Sequence, residues 1–197
     1  MTTKEKILSS SLELFALKGF ESVRVEEIAD KVGIKAPSLY KHFRSKKDIF
    51  VSLMEETVAR YESFLSTIML ERSDRTPDVE SLLKRALDLL DYSLHDKTFS
   101  SFRRMLTIEQ FRDERISELY SSLYCRRMVE YHTSLFSSLM EKGVMKKCDA
   151  ESAALMYDSV FLALIGECDR DESKEKEARE ALESHVRLFH SLFAPEK

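Results

Sequence analysis

The stretch that most constrains the fold is residues 25–47, which contains two short amphipathic segments separated by a glycine. In the first segment Ile28, Ala29 and Val32 recur at helical spacing, which predicts a helix with one apolar face. Gly33 follows directly, at a point where the end of a helix favours a residue that adopts positive φ easily. The stretch therefore predicts a helix, a tight turn and then a second helix.

The second helix of this pair is predicted from Lys35 to Phe43 and has two distinct faces. Pro37 lies in its first turn, where a missing N–H costs little. Ala36, Leu39 and Phe43 are spaced three and four apart and share the inward face. The outward face carries Lys35, Pro37, Ser38, Lys41 and His42, with Tyr40 on the flank. A cationic, hydroxyl-bearing helix after a glycine turn is typical of a helix-turn-helix whose second helix enters a DNA major groove.

The residues around this turn also resemble a known family. The run from Ile34 to Phe43, IKAPSLYKHF, is followed by SKKDIF at 45–50 and resembles the TetR family of bacterial transcriptional regulators. The segments ALKGF at 16–20 and EEIA at 26–29 fit the same pattern at the same offsets. The resemblance covers roughly residues 4–53, and beyond it the chain matches only as a helical region of suitable length.

The resemblance implies roles for several residues. Tyr40 and His42 match positions that contact backbone phosphates, and Lys46 matches a phosphate contact at the start of the fourth helix. All three carry hydrogen-bond donors, and the start of a helix favours anions. Positions that meet base edges or nearby phosphates are matched by Lys35, Ala36, Pro37, Ser38 and Lys41. The alternative for this whole surface is a solvated basic face without a partner.

Arg24 departs from the family pattern, in which Thr or Ser stands just before the second helix as a cap. An arginine cannot accept a hydrogen bond from an exposed N–H, so we expect the cap of this helix to be weaker by about 1 kcal/mol. Two interpretations of Arg24 stay open. It contacts DNA at the edge of the groove, or it is a solvated arginine paired with Glu27 or Asp30.

The distribution of charge supports a nucleic-acid partner for the N-terminal region. The whole chain has a net charge of −4, which does not suggest a DNA-binding protein. Residues 1–50, however, contain ten basic and seven acidic residues, whereas the remainder contains 21 basic and 28 acidic residues. A basic end on an acidic body orients the molecule towards phosphate.

Helical periodicity predicts an all-α fold of about nine helices. We expect a three-helix DNA-binding domain at residues 1–47 and a larger domain for effector binding and dimerisation at 48–197. Thr2 or Thr3, Ser45 and Asp149 are candidate N-caps of the first, fourth and eighth helices. The fourth helix is predicted to run to about Glu71 and to link the domains, before a polar break at 72–77 and a fifth helix from about Pro77. Later helices are predicted over Phe99–Gln110, Asp113–Lys142, Asp149–Cys168 and Glu172–Leu192.

The eighth predicted helix is apolar almost all round, so it must be buried on every side. In a chain of 197 residues one of those sides is expected to be a second subunit. We therefore predict a four-helix bundle between two copies of the eighth and ninth helices, which the family resemblance also implies. The predicted interface residues are Leu155, Val160, Leu164, Leu182, Val186 and Phe189.

Aromatic and thioether side chains on the middle helices suggest a pocket for a small apolar or amphipathic molecule. The candidate contacts are Phe102, Arg103, Met105, Phe111, Tyr120, Tyr124, Met128, Tyr131 and Phe161, with Arg104 and His132 as further polar anchors. The alternative is that aromatic residues at helical spacing simply form the core. That some effector binds this region is implied mainly by the resemblance.

Other classes of function find little support. The longest apolar run, Val160–Ile165, is far shorter than the roughly 20 residues of a membrane span, and no signal-peptide pattern is present, so we expect a cytoplasmic protein. Four scattered glycines form no phosphate-binding loop, and no catalytic motif or convergent metal-ligand set is found, so neither an enzyme nor a cofactor is predicted. Cys125, Cys148 and Cys168 are far apart, and we expect plain thiols, with a redox switch as the alternative.

Together these features predict a homodimeric, sequence-specific DNA-binding repressor that a small-molecule effector releases from a palindromic operator. A second hypothesis is a DNA-binding regulator controlled by a protein partner, without a small-molecule pocket. A third is a carrier of apolar ligands whose basic end is incidental.

Overall fold

The computed structural model describes residues 1–70 and 79–195, without the side chains of 68–70. Every regular element in these ranges is helical, which confirms the predicted all-α fold. The α-helices are α1 (Thr3–Lys18), α2 (Val25–Val32), α3 (Ala36–Leu39), α4 (Lys46–Leu70), α5 (Val79–His95), α6 (Lys97–Glu109), α7 (Glu114–Ser121), α8 (Arg127–Glu141), α9 (Ala150–Arg170) and α10 (Glu175–Phe193). The polar break predicted at 72–77, the end of the fourth helix at Glu71 and the start of the fifth at Pro77 lie outside the described residues.

Local capping chemistry sets the starts of three helices where the sequence predicted it. The Thr2 hydroxyl accepts a hydrogen bond from the Glu5 N–H, and the Glu5 carboxylate accepts one from the Thr2 N–H, which completes a capping box on α1. The Ser45 hydroxyl accepts from the Asp48 N–H at the start of α4. The Asp149 carboxylate accepts from the Ser152 N–H at the start of α9. Each cap satisfies a backbone donor that the helix itself leaves unpaired.

The long helix predicted from Asp113 to Lys142 is divided by a short π-helical segment. α7 passes into this segment, Ser122–Arg126, and the chain then continues as α8. A π-helical turn keeps the chain helical but shifts the side chains that follow around the axis. The apolar spacing alone could not reveal this shift, because both halves of the segment have ordinary helical periodicity.

The chain forms two compact units, and each of them combines two separate stretches of the sequence. The first unit consists of residues 1–70 and 96–118, and the second of residues 71–95 and 119–197. The whole of α4 belongs to the first unit. A boundary at 47/48 between a DNA-binding and an effector-binding domain remains a prediction about activity, because compact units group residues only by packing.

In the first unit, α1 packs against α2, α4 and α6. Its core includes the rings of Phe15, Phe20 and Phe50, whose centroids are 4.9 to 6.2 Å apart. Further along α4, Tyr61 stacks on Phe99 of α6 at 4.4 Å. The helix-turn-helix segment thus rests on a core that α1, α4 and α6 build together.

In the second unit, α9 packs against α5, α8 and α10, and α10 also packs against α5. An aromatic cluster joins these helices, with Tyr157 of α9 in edge contact with Phe136 of α8 and Phe189 of α10. Within this cluster Nδ1 of His132 lies 2.9 and 3.0 Å from the two carboxylate oxygens of Asp158. Both of these side chains are buried, and the contact between Nδ1 of His132 and Oδ2 of Asp158 is a hydrogen bond.

The predicted subunit interface needs correction on α10. Leu182, Val186 and Phe189 are buried against the helices of the same chain, so they offer no surface to a second copy. Helical periodicity identified the apolar face of α10 but could not say whether that face packs within or between chains. The outward apolar residues are Leu155 and Met156 on α9 and Leu188 and Leu192 on α10, each between 42% and 58% exposed. The predicted Val160 and Leu164 are half-buried.

Candidate nucleic-acid interface

The turn between α2 and α3 has the geometry that the sequence predicted. Gly33 lies in the left-handed region with φ 79° and ψ 32°. Its N–H donates to the Asp30 carbonyl at 3.1 Å, and the Ile34 N–H donates to the Ala29 carbonyl at 2.9 Å. This pair of bonds ends α2, and a side chain at position 33 would be strained at this φ.

α3 is shorter than predicted and spans a single α-helical turn. After Leu39 the chain continues in tight turns, in which the His42 and Phe43 N–H groups both donate to the Leu39 carbonyl. Leu39 and Phe43 are buried, as the predicted inward face requires. The segment from 36 to 43 therefore keeps a helical course although regular hydrogen bonding ends at Leu39.

The predicted DNA-contacting side chains of this segment lie mainly at the surface. Lys35, Pro37, Tyr40, Lys41 and His42 are exposed, while Ala36 and Ser38 are half-buried. Tyr40 is a large side chain with 51% of its surface exposed. The segment thus presents two ammonium groups, a phenol and an imidazole within eight residues, all of which can donate to phosphate or to base acceptors.

Arg24 is exposed and stands directly before α2, and its side chain makes no cap. Its backbone N–H donates to the Glu27 carboxylate at 3.0 Å. That carboxylate also pairs with Lys18, and these two hydrogen bonds hold the pKa of Glu27 below its usual value. Among the described residues no ion pair of the Arg24 guanidinium is found. The structure therefore leaves this side chain available for DNA but does not test that role.

Lys46 is not placed as a phosphate contact. Its Nζ donates to the backbone carbonyls of Phe20, Glu21 and Val23 at 2.7, 3.2 and 2.9 Å, and it lies 4.4 Å from the centre of the Phe20 ring. An ammonium group has three donors, and here all three are used by the loop between α1 and α2. The Lys46 side chain thus fastens that loop to the start of α4, and its phosphate contact stays a prediction.

A second buried charge fastens the same loop from α6. The Glu109 carboxylate is buried and accepts a hydrogen bond from the Phe20 N–H at 2.8 Å. Gly19, with φ 79°, makes this close approach feasible, because a Cβ there would lie 2.8 Å from Oε1 of Glu109. We call Lys46, Glu109 and residues 19–23 the loop clasp. Sequence reasoning missed it because its two charged members are 63 positions apart.

Two further cations belong to the candidate interface. Arg44 and Lys47 are exposed on either side of the Ser45 cap, and neither forms an ion pair in the part of the chain that the structure describes. Lys35 and Lys41 share this property, whereas Lys18 and Lys31 are paired with Glu27 and Glu13. The available signal in the sequence was the basic run KHFRSKK at 41–47.

The residues predicted for a ligand pocket are divided between the two compact units. Phe102, Arg103 and Met105 are buried in the core of the first unit, and Phe111 in the same unit is 90% exposed. The others, Tyr120, Tyr124, Met128, Tyr131 and Phe161, belong to the second unit. Their spacing on helices indicated burial but not which core each side chain enters, and a pocket that they share stays a prediction.

Comparison with known proteins places the helix-turn-helix in a family. Residues 7–53 match the family described as "Bacterial regulatory proteins, tetR family". Among curated relatives, the chain is 29% identical over 86 residues to YdgC of Bacillus subtilis, an uncharacterised HTH-type transcriptional regulator, covering 44% of each chain. It is 34% identical over 73 residues to IcaR of Staphylococcus aureus, the negative regulator of the biofilm operon icaADBC, covering 37% of each. The chain thus matches less than half the length of these relatives.

Solved structures extend the likeness in fold to nearly the whole chain. A TetR-family transcriptional regulator from Mesorhizobium loti has a TM-score of 0.72 and 21% identity, over 98% of this chain and 96% of that one. SmeT in complex with triclosan has a TM-score of 0.71 and 15% identity, over 100% of this chain and 93% of that one. At these identities the comparison concerns the fold alone.

The αL turn at Gly33 and the exposed cationic surface of α3 define a helix-turn-helix segment. Residues 7–53 match the tetR family of bacterial regulatory proteins, as the sequence of this segment predicted. No helix in the described residues is long and apolar enough to cross a membrane.

Proposed function

We propose that this protein is a sequence-specific DNA-binding transcriptional repressor whose α3 segment enters the major groove. The observation that carries the proposal is the set of exposed donors on Lys35, Tyr40, Lys41 and His42, which directly follow the αL turn of a tetR-type helix-turn-helix. Arg44 and Lys47 add positive charge beside them. Cations of this kind supply the salt-dependent part of DNA affinity, and donors on α3 supply the reading of base edges.

The proposed active form is a homodimer. Two reading segments related by a two-fold axis would contact a roughly palindromic site in successive major grooves. The outward apolar side chains of α9 and α10, Leu155, Met156, Leu188 and Leu192, support self-association through these helices, with Val160 and Leu164 at the margin. Apolar patches that a single chain leaves exposed commonly mark an interface.

The dimer proposal is tested by one charged substitution and a matched control. Leu188→Asp places a carboxylate on the outward face of α10, where the side chain is 58% exposed and the fold of one chain tolerates it. Leu17→Asp makes the same change on α1, at a leucine that is 77% exposed. We expect analytical ultracentrifugation to show monomers for L188D and dimers for L17D. Dimers in both variants would reject this interface.

We further propose that a small, mostly apolar effector regulates DNA binding. The repressor SmeT, which shares this fold, has been solved with triclosan, a small molecule. Such an effector acts by binding more tightly to a conformation that binds DNA weakly, which shifts the population away from the DNA-bound state.

The DNA-binding proposal is tested by selecting fragments of genomic DNA on the purified protein and sequencing those retained. We expect enrichment of one roughly palindromic motif and an affinity that falls steeply as salt rises. The variant Lys41→Ala should retain fewer fragments with a relaxed motif, whereas Lys142→Ala, an exposed lysine outside the first unit, should behave as the parent protein. Retention without any enriched motif would contradict sequence-specific regulation.

A further inference from the structure

The second unit contains an apolar cavity of about 410 Å³, and its lining includes none of the nine ligand residues predicted by sequence. Its lining residues come from the start of α5, the end of α8, the loop after α8 and the end of α10. The main aromatic walls are Phe136, Phe189 and Phe193. The volume is in the range of sites that hold small organic ligands.

The wall of this cavity is apolar apart from one imidazole. Among the lining residues that the structure describes, His190 alone has a polar side-chain group that can donate a proton or a hydrogen bond. The other nine are aliphatic, aromatic, methionine or proline. A cavity with one such donor favours a ligand that has a hydrocarbon body and a single polar group.

The surroundings favour a negative charge on that polar group. The loop that contributes Val144 and Met145 to the wall belongs to the segment EKGVMKK at 141–147, which carries three lysines and one glutamate. Lys142, Lys146 and Lys147 are all exposed, and each lies within two positions of Val144 or Met145 in the sequence. A carboxylate would be favoured here over a neutral or cationic group.

The end of the chain forms part of the enclosure. The backbone N–H of Lys146 donates to the Phe193 carbonyl at 2.8 Å, which joins the loop after α8 to the end of α10. Beyond this bond Ala194 and Pro195 line the cavity. This hydrogen bond therefore ties the loop after α8 to the last residue of α10 at the margin of the cavity.

The inner wall connects to the aromatic cluster of the second unit. The rings of Phe136 and Phe189 lie 5.3 Å apart, and both contact the ring of Tyr157 on α9. Phe136 also stacks on His132, the partner of the buried Asp158. A ligand in the cavity would press on rings that pack directly against α9, one of the helices proposed for self-association.

We propose that this cavity binds a small amphipathic acid, with its hydrocarbon body on Phe136, Phe189 and Phe193 and its carboxylate towards His190 and the 142–147 lysines. That the bound acid regulates DNA binding rests on the proposed function, whereas binding of the acid itself does not. Occupancy of the cavity is a property of the second unit and is measured without DNA.

Isothermal titration of the full chain with straight-chain carboxylates tests the proposal. We expect one decanoate to bind per chain, with affinity falling about fourfold for each methylene removed on going to octanoate and hexanoate. Decanol should bind at least fivefold more weakly than decanoate. Absence of binding, or equal affinity for decanoate and decanol, would overturn the proposal.

Two variants assign the binding to this cavity. Val144→Phe fills the space from a half-buried position in a loop, and Val51→Phe makes the same change at an exposed position on α4. We expect at least a tenfold loss of decanoate affinity in V144F and none in V51F. His190→Leu should weaken decanoate at least threefold and leave decanol unchanged, which decides the question if V144F does not fold. Unchanged decanoate binding in V144F, or in H190L, would overturn the assignment.

Measuring DNA binding of the same preparations separates this inference from the proposed function. Protein that binds its operator but not decanoate contradicts the cavity proposal alone. Protein that binds decanoate in the cavity but selects no DNA motif contradicts the proposed function alone.

Discussion

The two compact units hold their helices together with different interactions. In the first unit, charged side chains reach backbone groups: Lys46 donates to three carbonyls and Glu109 accepts from the Phe20 N–H. In the second unit, aromatic rings meet around a buried His132–Asp158 pair, and a cavity of about 410 Å³ remains at one end. The loop clasp fixes the position at which α2 begins, whereas the second unit keeps space that a ligand can fill.

This difference suits the functions proposed for the two regions. Reading base edges requires that α2 and α3 keep a fixed geometry, because hydrogen bonds lose strength within fractions of an ångström. Responding to a ligand requires space and alternative packing, because interiors at full density cannot accept additional atoms without strain. The contrast predicts that equivalent truncations have unequal effects in the two units.

The largest expected effect is the removal of an aromatic ring from the first unit. Phe15 is completely buried, with Phe20 at 5.3 Å, so Phe15→Ala should lower the free energy of unfolding by about 3–5 kcal/mol. Phe193 lines the cavity and is half-buried, so Phe193→Ala should cost less than about 2 kcal/mol, because fewer packed contacts are lost. Urea unfolding of both variants measures the difference, and equal costs would show that the cavity is closed and packed in solution.

The next largest effect on stability is expected for Lys46, the member of the loop clasp that lies on α4. Lys46→Ala removes three charge-assisted bonds and should cost about 2–3 kcal/mol of stability, whereas Lys47→Ala, at an exposed neighbour, should cost less than about 0.5 kcal/mol.

The salt dependence of DNA binding should be changed by the Lys47 substitution and not by the Lys46 substitution, which is the reverse of their order for stability. Lys47→Ala should reduce the slope of log affinity against log salt concentration by about the value of one phosphate contact. Lys46→Ala should lower the affinity by loosening the loop between α1 and α2 and should leave that slope unchanged. Affinity measured at several salt concentrations checks this. A smaller salt slope in K46A than in the parent protein would show that Lys46 contacts a phosphate.

A smaller effect is expected at the other side of the clasp. Glu109→Ala leaves the partly buried Phe20 N–H without its acceptor and should cost about 1–2 kcal/mol. Glu109→Gln keeps an acceptor oxygen at the same reach and should cost less than half as much. Hydrogen exchange of the Phe20 amide reports the bond directly; equal protection in E109A and in the parent protein would show that the clasp does not depend on Glu109.

The smallest effect is a pH dependence in the second unit. Arg179 bonds to Glu175 at 2.9 Å and also pairs with Asp91, and its hydrogen bond is the main reason that the pKa of Glu175 lies below its ordinary value of 4.5. A carboxyl with a depressed folded-state pKa stabilises the fold above its ordinary pKa, and this contribution is lost as pH falls below it. The side chains are about one-third exposed, so we expect less than about 1 kcal/mol.

Arg179→Gln should remove this acid-sensitive contribution. Thermal unfolding at pH 7 and at pH 3.5 measures this contribution. The unfolding temperatures of the parent protein and of R179Q should differ more at pH 7 than at pH 3.5. A larger difference at the lower pH would contradict the assigned direction of the pKa shift.

Local features of this chain could be predicted from sequence, and long-range ones could not. The caps at Thr2, Ser45 and Asp149, the turn at Gly33 and the buried face of α3 depend on residues within a few positions of one another. The direction of Lys46 and the burial of Val186 depend on which distant segment each side chain meets. The cavity could not be foreseen, since it is a place where the packing of three helices leaves space, and no residue pattern marks it.

The central claim is that two copies of the α3 segment read one DNA site. Hydroxyl-radical footprinting of the dimer on its selected fragment tests this most directly. We predict two protected regions on the same face of the duplex, centred about 34–36 Å apart or a multiple of this distance, both lost in the variant L188D. A single protected region, or protection that L188D retains at the same protein concentration, would contradict the account.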